Sequence, residues 1–220
     1  MEDLPHALIG EFIDAVVEDP AKAAALLSRH PDLIRARWIL GETALHFLSV
    51  EGFAEGVRFL AERGADVDAV NDLGDSPLAD VAALGNEEIA ETLLRHGANP
   101  NAAASATRGN ALHAAVLSGN ARLVGRLLRA GANARYITDL GESVFDAVDE
   151  VDAVDAVDAV GAGSPGSPGS PVDASDAGTP SGPGGPGGPG DASRALDGAP
   201  ARRQAMLAVL AEYGIIRGAG

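Results

Sequence analysis

The chain has 220 residues, with 16 basic against 32 acidic side chains and a formal net charge of −16 at pH 7. A surface this acidic repels phosphate backbones and anionic lipid, which excludes nucleic acid and membrane surfaces as partners. Because the chain has no cysteine, disulfides, thiolate zinc sites and cysteine nucleophiles are excluded as well. We also expect no cofactor.

The N-terminal residues 1–36 are predicted to form a helical cap. They show no basic flank followed by an apolar run, and no stretch of the chain approaches about 18 uninterrupted apolar residues, so we expect a cytoplasmic protein. Pro20 opens a second helix over 20–29, since the first helical position needs no N–H, and HPDLIRAR ends that helix. Apolar residues recur at helical spacing in both helices: Leu4, Leu8, Phe12, Ala15 and Val16 over 4–17, then Leu26 and Leu27.

A unit that runs from Gly41 to Asp68, GETALHFLSVEGFAEGVRFLAERGADVD, returns further along the chain. Aligned on the leucine of ALH, it recurs at steps of 33, 34 and 33 residues, at Leu45, Leu78, Leu112 and Phe145. A fixed period of this length predicts a stack of small units, each of which buries its apolar side against the next.

Each unit is predicted to contain two short helices. In the first unit Gly41 supplies a tight turn, and Thr43 caps a helix over 44–50 because its hydroxyl can accept from N–H groups of the first turn. Gly52 then lets the chain reverse into a second helix over 54–62. Gly64 follows as a left-handed cap, before residues 65–68 lead out extended.

The second and third units repeat these signals. Ser76 and Asn110 take the place of Thr43, since both residue types can cap a helix, and Pro77 occupies the first helical position, where proline is favoured. The remaining turn and core positions also follow in order: Gly74, Leu78, Gly85, Ile89, Leu93, Leu94 and Gly97 in the second unit, and Leu112, Gly119, Leu123, Val124, Leu127, Leu128 and Gly131 in the third.

These units resemble ankyrin repeats, whose pattern is G-x-TPLHxAA…G…IVxxLLxxGADxN over about 33 residues. The resemblance rests on GETALHFL, GDSPLADVAALGN and NALHAAVLSGN with the segments that follow them, and it covers residues 41–133 in three full units. It implies an all-α solenoid of helix–turn–helix units in an L-shaped stack, with the linking segments projecting as hairpin-like fingers. It also implies binding of other proteins through the finger tips and the inner face of the first helices.

The fourth unit is predicted to be split by an insertion. Residues 141–148 begin it, but DEVDAVDAVDAV then gives no stable apolar stripe. Residues 161–190 contain eleven glycines and seven prolines, a composition that cannot offset its chain entropy by burial, so we predict a long disordered insertion over 151–200. A collagen-like helix is excluded, because the Gly-x-y register is broken.

The second helix of the fourth unit is predicted to lie beyond the insertion. ARRQAMLAVLAEYGII resumes helical spacing, and Gly214 lies 83 residues after Gly131, which is 50 more than one period of 33. Lengthening the turn by this much costs about 2 kcal/mol, whereas burial of Met206, Leu207 and Leu210 contributes about 1.5–3 kcal/mol each. The predicted division is a cap over 1–36, repeats over 37–150, the insertion over 151–200 and a capping helix over 201–216.

No catalytic or metal-binding set is predicted. His46 and His113 fall next to the start of a first helix, where the resemblance implies that histidine bonds to backbone and braces neighbouring turns. With helices about 10 Å apart, these two side chains are expected about 20 Å from each other, too far to share a metal or a proton. The aspartates over 146–158 lack the alternate-residue ligands and the glycine of an EF-hand loop, so calcium binding is not expected.

Positions that the repeat leaves free are candidates for a protein-binding surface. They flank the conserved turn and line the inner side of each first helix: Trp38, Glu42, Val50, Glu51, Asp72, Leu73, Asp75, Leu84, Leu117, Asp139, Leu140 and Glu142. Trp38 admits two interpretations, as an anchor for a partner or as packing between the cap and the first repeat. The acidic neighbours favour a partner with a basic surface.

The sequence therefore predicts a non-catalytic, monomeric ankyrin-repeat protein that mediates protein–protein interaction. An alternative is an accessory or inhibitor subunit of an enzyme, acting through the acidic surface or the flexible insertion. An intrinsic enzyme would need a convergent acid–base or nucleophile set, which the sequence does not show.

Overall fold

The computed structural model describes residues 4–102, 109–138, 140–149 and 198–215. Within these ranges the chain is a stack of helix pairs, which confirms the predicted all-α solenoid. None of the helices in these ranges is long and apolar enough to cross a bilayer. The helices are α1 His6–Glu18, α2 Pro20–Arg29, α3 Ala44–Val50, α4 Ala54–Ala61, α5 Pro77–Ala83, α6 Glu87–Arg95, α7 Ala111–Leu117, α8 Ala121–Arg129, α9 at 144–149 and α10 Gly198–Glu212.

The cap consists of α1 and α2, which pack on each other, and α1 also packs on both helices of the first repeat. Its first helix begins later than predicted, because Pro5 lies at the helix start. The buried stripe of α1 is also rotated by about one residue from the predicted one, since Leu4 and Leu8 are only partly buried. The fully buried side of α1 is formed by Ile9, Phe12, Ile13, Ala15 and Val16.

The chain between α2 and α3 contains two short 3-10 segments, whereas the sequence predicted only the end of a helix there. Residues Pro31–Arg35 form a 3-10 helix, and Leu33 within it is completely buried. A second 3-10 turn, Ile39–Gly41, precedes the first repeat. Gly56 in α4 allows close packing of the cap, because a Cβ there would lie 3.2 Å from Val16 Cγ1. The cap is therefore joined to the first repeat by a continuous apolar core.

The predicted helix caps are confirmed. Thr43 Oγ1 accepts from His46 N at 3.2 Å, Ser76 Oγ accepts from Ala79 N at 3.3 Å, and Asn110 Oδ1 accepts from Leu112 N at 3.1 Å. Gly64 has a φ of +82°, as expected for a left-handed helix end. Two local details differ: α4 ends one residue early, and residues 67–68 form a turn instead of an extended exit.

Hydrogen bonds between equivalent positions tie neighbouring repeats together. The Asp68 carboxylate accepts from Asn99 N at 2.9 Å, and Asn101 Oδ1 accepts from Asn133 N at 2.7 Å. At the other end of the first helices, Asn120 Nδ2 donates to Gly85 O at 3.2 Å. These bonds join residues 31 to 35 positions apart, so each repeat is held in register with the next.

The last helix, α10, packs against α8. Met206 and Leu210 are buried, with 1% and 0% of their surface exposed. Tyr213 Oη donates to Gly125 O at 3.4 Å, and Arg203 forms an ion pair with Asp149 at 3.1 Å. The predicted insertion over 151–200 lies outside the described residues except for its last three positions, which are helical. That the insertion splits a fourth repeat stays an interpretation of the sequence.

Candidate protein-binding surface

Short hairpin-like segments project between successive repeats. Finger one, residues 37–43, is closed by an antiparallel bridge between Arg37 and Thr43. Finger four, residues 137–143, is closed in the same way by Ile137 and Ser143. In finger two, residues 71–75, Asn71 Oδ1 accepts from Leu73 N at 2.9 Å and from Asp75 N at 3.0 Å. Most of the third linking segment, 103–108, lies outside the described residues.

Fingers one and two are clamped to each other. Arg37 Nη1 donates to Gly41 O and to Val70 O, both at 2.6 Å, and Asp72 N donates to Leu40 O at 2.9 Å. The Asp72 carboxylate lies where a Cβ of Gly41 would be, so any other residue at position 41 would collide with it. The two tips are therefore fixed relative to each other by backbone contacts before any partner binds.

The tips of the fingers expose apolar side chains. We call this set the finger-tip row; the exposed fractions are 56% for Ile39, 59% for Leu40, 59% for Leu73 and 65% for Leu140. Leu73 and Leu140 were among the predicted positions, but Ile39 and Leu40 were missed. A signal for Leu40 was present, since a leucine precedes the turn glycine in three of the four units, at positions 40, 73 and 140.

Leu40 lies in the left-handed region, with φ 56° and ψ 23°, which is costly for a residue that carries a Cβ. Because its side chain is mostly exposed, Leu40→Gly loses little burial, and we expect the free energy of unfolding to rise by about 0.5–1 kcal/mol. Chemical denaturation measures this change. Leu73→Gly is the matched control, since Leu73 is equally exposed but lacks a positive φ. Equal destabilisation by both substitutions would contradict the assignment of strain to Leu40.

A second group of the predicted residues lies at the opposite end of the first helices. We call Val50, Glu51, Leu84 and Leu117 the turn-end row, because each stands at or next to the turn that joins the two helices of a repeat. Leu84 and Leu117 are 60% and 47% exposed, Glu51 is exposed and Val50 is half-buried. A first helix of seven residues separates this row from the fingers by about 10 Å.

Between the two rows lies an acidic centre formed by Glu42, His46 and Asp80. His46 is completely buried, and its Nε2 lies 2.9 Å from Asp80 Oδ2 in the next repeat. The histidine thus braces the neighbouring repeat through a carboxylate, whereas the resemblance implied a bond to backbone. Burial raises the pKa of Glu42, and the charges of Asp80 and Glu51 raise it further, against the opposing effect of His46.

Other predicted residues have different places. Trp38 is partly buried and packs edge-on against Phe47, with ring centroids 5.1 Å apart, which supports the packing interpretation. The prediction for Asp75 is wrong: it is only 2% exposed, because finger two turns its side chain inward, so it cannot reach a partner. Glu142 is half-buried, Asp72 is exposed at the tip of finger two, and Asp139 lies outside the described residues.

His113 stands in the third repeat at the position that His46 holds in the first, and it is also buried. Its Nδ1 lies 3.0 Å from Asn110 Oδ1, and its ring meets Tyr136 edge-on at 5.7 Å. Burial lowers the pKa of His113, and the effect is opposed by a backbone hydrogen bond and the charge at Glu142. Within the described ranges, no group of three or more histidine, aspartate or glutamate side chains could hold a metal ion.

Stacked helix pairs with hydrogen-bonded fingers between them define a helical-repeat protein. The model of the family described as ankyrin repeats, in three copies, matches residues 13–104 and 64–138. The chain belongs to the ankyrin-repeat family. Protein–protein interaction is the function that this repeat implies.

Several curated relatives are similar over the repeats. Cyclin-dependent kinase 4 inhibitor B of Mus musculus is 40% identical over 91 residues, which cover 41% of this chain and 69% of the relative. The B-cell lymphoma 3 protein homolog of Mus musculus is 42% identical over 95 residues, 43% of this chain but only 21% of the relative. A probable E3 ubiquitin-protein ligase of Oryza sativa subsp. japonica, XBOS31, is 33% identical over 125 residues, covering 56% of this chain and 28% of that protein.

Proposed function

We propose that this chain is a non-catalytic, monomeric binding module that holds a partner protein against the finger-tip row and the inner helix face. The observation that carries the proposal is the finger-tip row itself, in which apolar side chains 56% to 65% exposed lie on backbone fixed by hydrogen bonds. Exposed apolar groups on rigid backbone lose little conformational freedom on binding, which lowers the entropic cost of association.

The charges beside the tips support a basic partner surface. Asp72 is exposed next to Leu73, Glu51 is exposed in the turn-end row, and Glu42 and Asp80 lie between the two rows. Because burial and neighbouring carboxylates raise the pKa of Glu42, a lysine or arginine placed beside it would favour the charged form and be attracted in return. With a net charge of −16, the chain also repels its own copies, which favours the monomer.

The double variant Leu40→Ser/Leu73→Ser tests the proposal. We expect it to weaken binding at least tenfold, about 1.4 kcal/mol, because two adjacent apolar contacts are lost from the centre of the interface. Proteins retained by the wild type from a native lysate are identified by quantitative mass spectrometry, purified and measured by titration calorimetry. Ala208→Ser is the control, since Ala208 is exposed on α10 outside the proposed surface and is expected to leave this affinity unchanged. Unchanged affinity in the double variant would remove the finger-tip row from the interface.

An accessory or inhibitor role for an enzyme is the second candidate. It is favoured by the similarity to cyclin-dependent kinase 4 inhibitor B, of which the chain spans 69%. In this alternative the acidic surface or the insertion over 151–200 contacts the enzyme and lowers its activity. The identity of the captured protein is the first test between the two candidates. The alternative requires that protein to be an enzyme whose rate changes when this chain binds.

Replacing the insertion by an unrelated linker is a second test between the two candidates. Replacing residues 151–197 by a glycine–serine linker of equal length removes the repeated Val-Asp-Ala sequence over 151–160. It leaves the length of chain before α10 unchanged. We expect the partner affinity to stay within twofold of the wild type, because the proposed contacts come from the fingers. A loss of tenfold or more, with the finger variant still binding, would favour the insertion as the acting element.

A further inference from the structure

A groove lies on the outer side of the molecule, between the cap and the second helix of the first repeat. Its cavity volume is about 600 Å³, and its walls are the end of α1, the start of α2, one side of α4 and Glu88 of α6. Val17 and Phe53 stand in this lining with 39% and 44% of their surface exposed. We call it the cap groove. Both side chains therefore keep more than a third of their surface open to solvent.

The cap groove follows α4 and continues beyond it. Its lining residues run from Gly52, at the turn before α4, to Arg63, just after the end of α4. At the rise of a helix this segment is about 16 Å long. At Arg63 it meets a second cavity of about 450 Å³, lined by Leu27, Ile34 and other residues of the cap. An extended peptide of about five residues spans the first cavity, at about 3.3 Å per residue.

The charged groups of the groove favour a basic occupant. Three acidic residues, Glu55, Glu62 and Glu88, line it. Its two arginines are both engaged: Arg58 is ion-paired with Glu55 and Glu62, and Arg63 lies over the Phe59 ring at 3.6 Å from the centroid. The lining therefore has a net negative charge in a chain of net charge −16.

We propose that the cap groove binds a short segment of a partner protein that carries bulky apolar side chains flanked by lysine or arginine. The apolar side chains cover Val17 and Phe53, and the basic groups face Glu88, because Glu55 and Glu62 are already paired with Arg58. This surface is separate from the finger-tip row, since α3 runs between the fingers and the turn at which the groove begins.

Peptide selection with subtraction tests this proposal. A phage-displayed library of random seven-residue peptides is selected on the full chain and depleted on the Val17→Ser/Phe53→Ser variant, which removes peptides that bind the fingers. We expect the surviving sequences to combine phenylalanine, leucine or tryptophan with lysine or arginine. Survivors rich in aspartate or glutamate, or the absence of survivors, would overturn it.

A synthetic peptide of the enriched sequence then places the site. In a titration followed by amide NMR shifts of the full chain, we expect shifts at residues 17, 53 and 63 and none at residues 40 and 73. Val17→Ser and Glu88→Lys, each tested alone, are expected to lower the affinity for the peptide at least fivefold. Leu73→Ser is expected to leave this affinity unchanged. Both single changes are at exposed positions, so the folded state is retained. Shifts confined to the fingers, or equal affinity in all variants, would refute the cap groove as the site.

Discussion

Leu78→Ala is expected to lower the free energy of unfolding by about 2–5 kcal/mol, the cost of deleting a fully buried leucine side chain. Leu78 is 0% exposed and lies in α5, which packs against both α3 and α7. The substitution therefore leaves a cavity in the core between successive repeats. In a stack of this kind each repeat contacts only its neighbours, so the loss weakens the interfaces on both sides. Urea denaturation followed by circular dichroism measures the change.

Leu84→Ala is the matched control for Leu78→Ala. The two leucines are six residues apart, but Leu84 is 60% exposed and buries little apolar surface. An exposed substitution of this kind is expected to change the free energy of unfolding by no more than about 0.5 kcal/mol. Comparable losses in the two variants would show that the core between repeats is not organised around Leu78.

The second large effect is expected when the buried side chains of α10 are shortened to alanine. The double variant Met206→Ala/Leu210→Ala removes the two buried side chains that α10 packs on α8, each at a cost of about 2–5 kcal/mol. We expect amides 203–212 to exchange with solvent at least tenfold faster, which corresponds to about 1.4 kcal/mol. Amides of α8 are expected to lose protection as well, because α10 covers that helix. Hydrogen exchange followed by mass spectrometry of the full chain measures the protection of residues 203–212 and of α8.

Gln204→Ala serves as the control for the α10 variant, because Gln204 is exposed on the same helix. Its exchange profile is expected to match that of the wild type. Fast exchange of residues 203–212 in the wild type itself would show that α10 does not stay docked. The interpretation of α10 as the displaced second helix of a fourth repeat would then fail too.

Much of the fold was predictable because the signals for it are local. Thr43, Ser76 and Asn110 each bond to an N–H two or three residues ahead, so a short sequence window contains the whole interaction. Gly64 likewise ends its helix through its own backbone conformation. The period of 33 or 34 residues then follows from repeating such windows, and it predicted the stack without any knowledge of contacts.

The candidate binding surface was predictable only in part. Leu73, Leu84, Leu117 and Leu140 are exposed, as expected of positions that the repeat leaves free. Asp75 is buried, although it is polar and stands in a turn, because its finger folds back on Asn71. Leu40 was missed, since nothing in a hydrophobic pattern shows that an apolar residue occupies a left-handed position and faces solvent.

By itself the sequence determined the repeat period, the helix caps and the acidic character of the chain, because these depend on residues close together or on composition. Only the tertiary structure decided which residues meet across 31 to 88 positions of the chain. Such meetings include His46 with Asp80, Asp68 with Asn99, and Tyr213 with Gly125. The cap groove is of the same kind, since Val17 and Phe53 come together only when α1 and α4 pack. The geometry of packed helices, which local propensity does not specify, is the physical reason for this division.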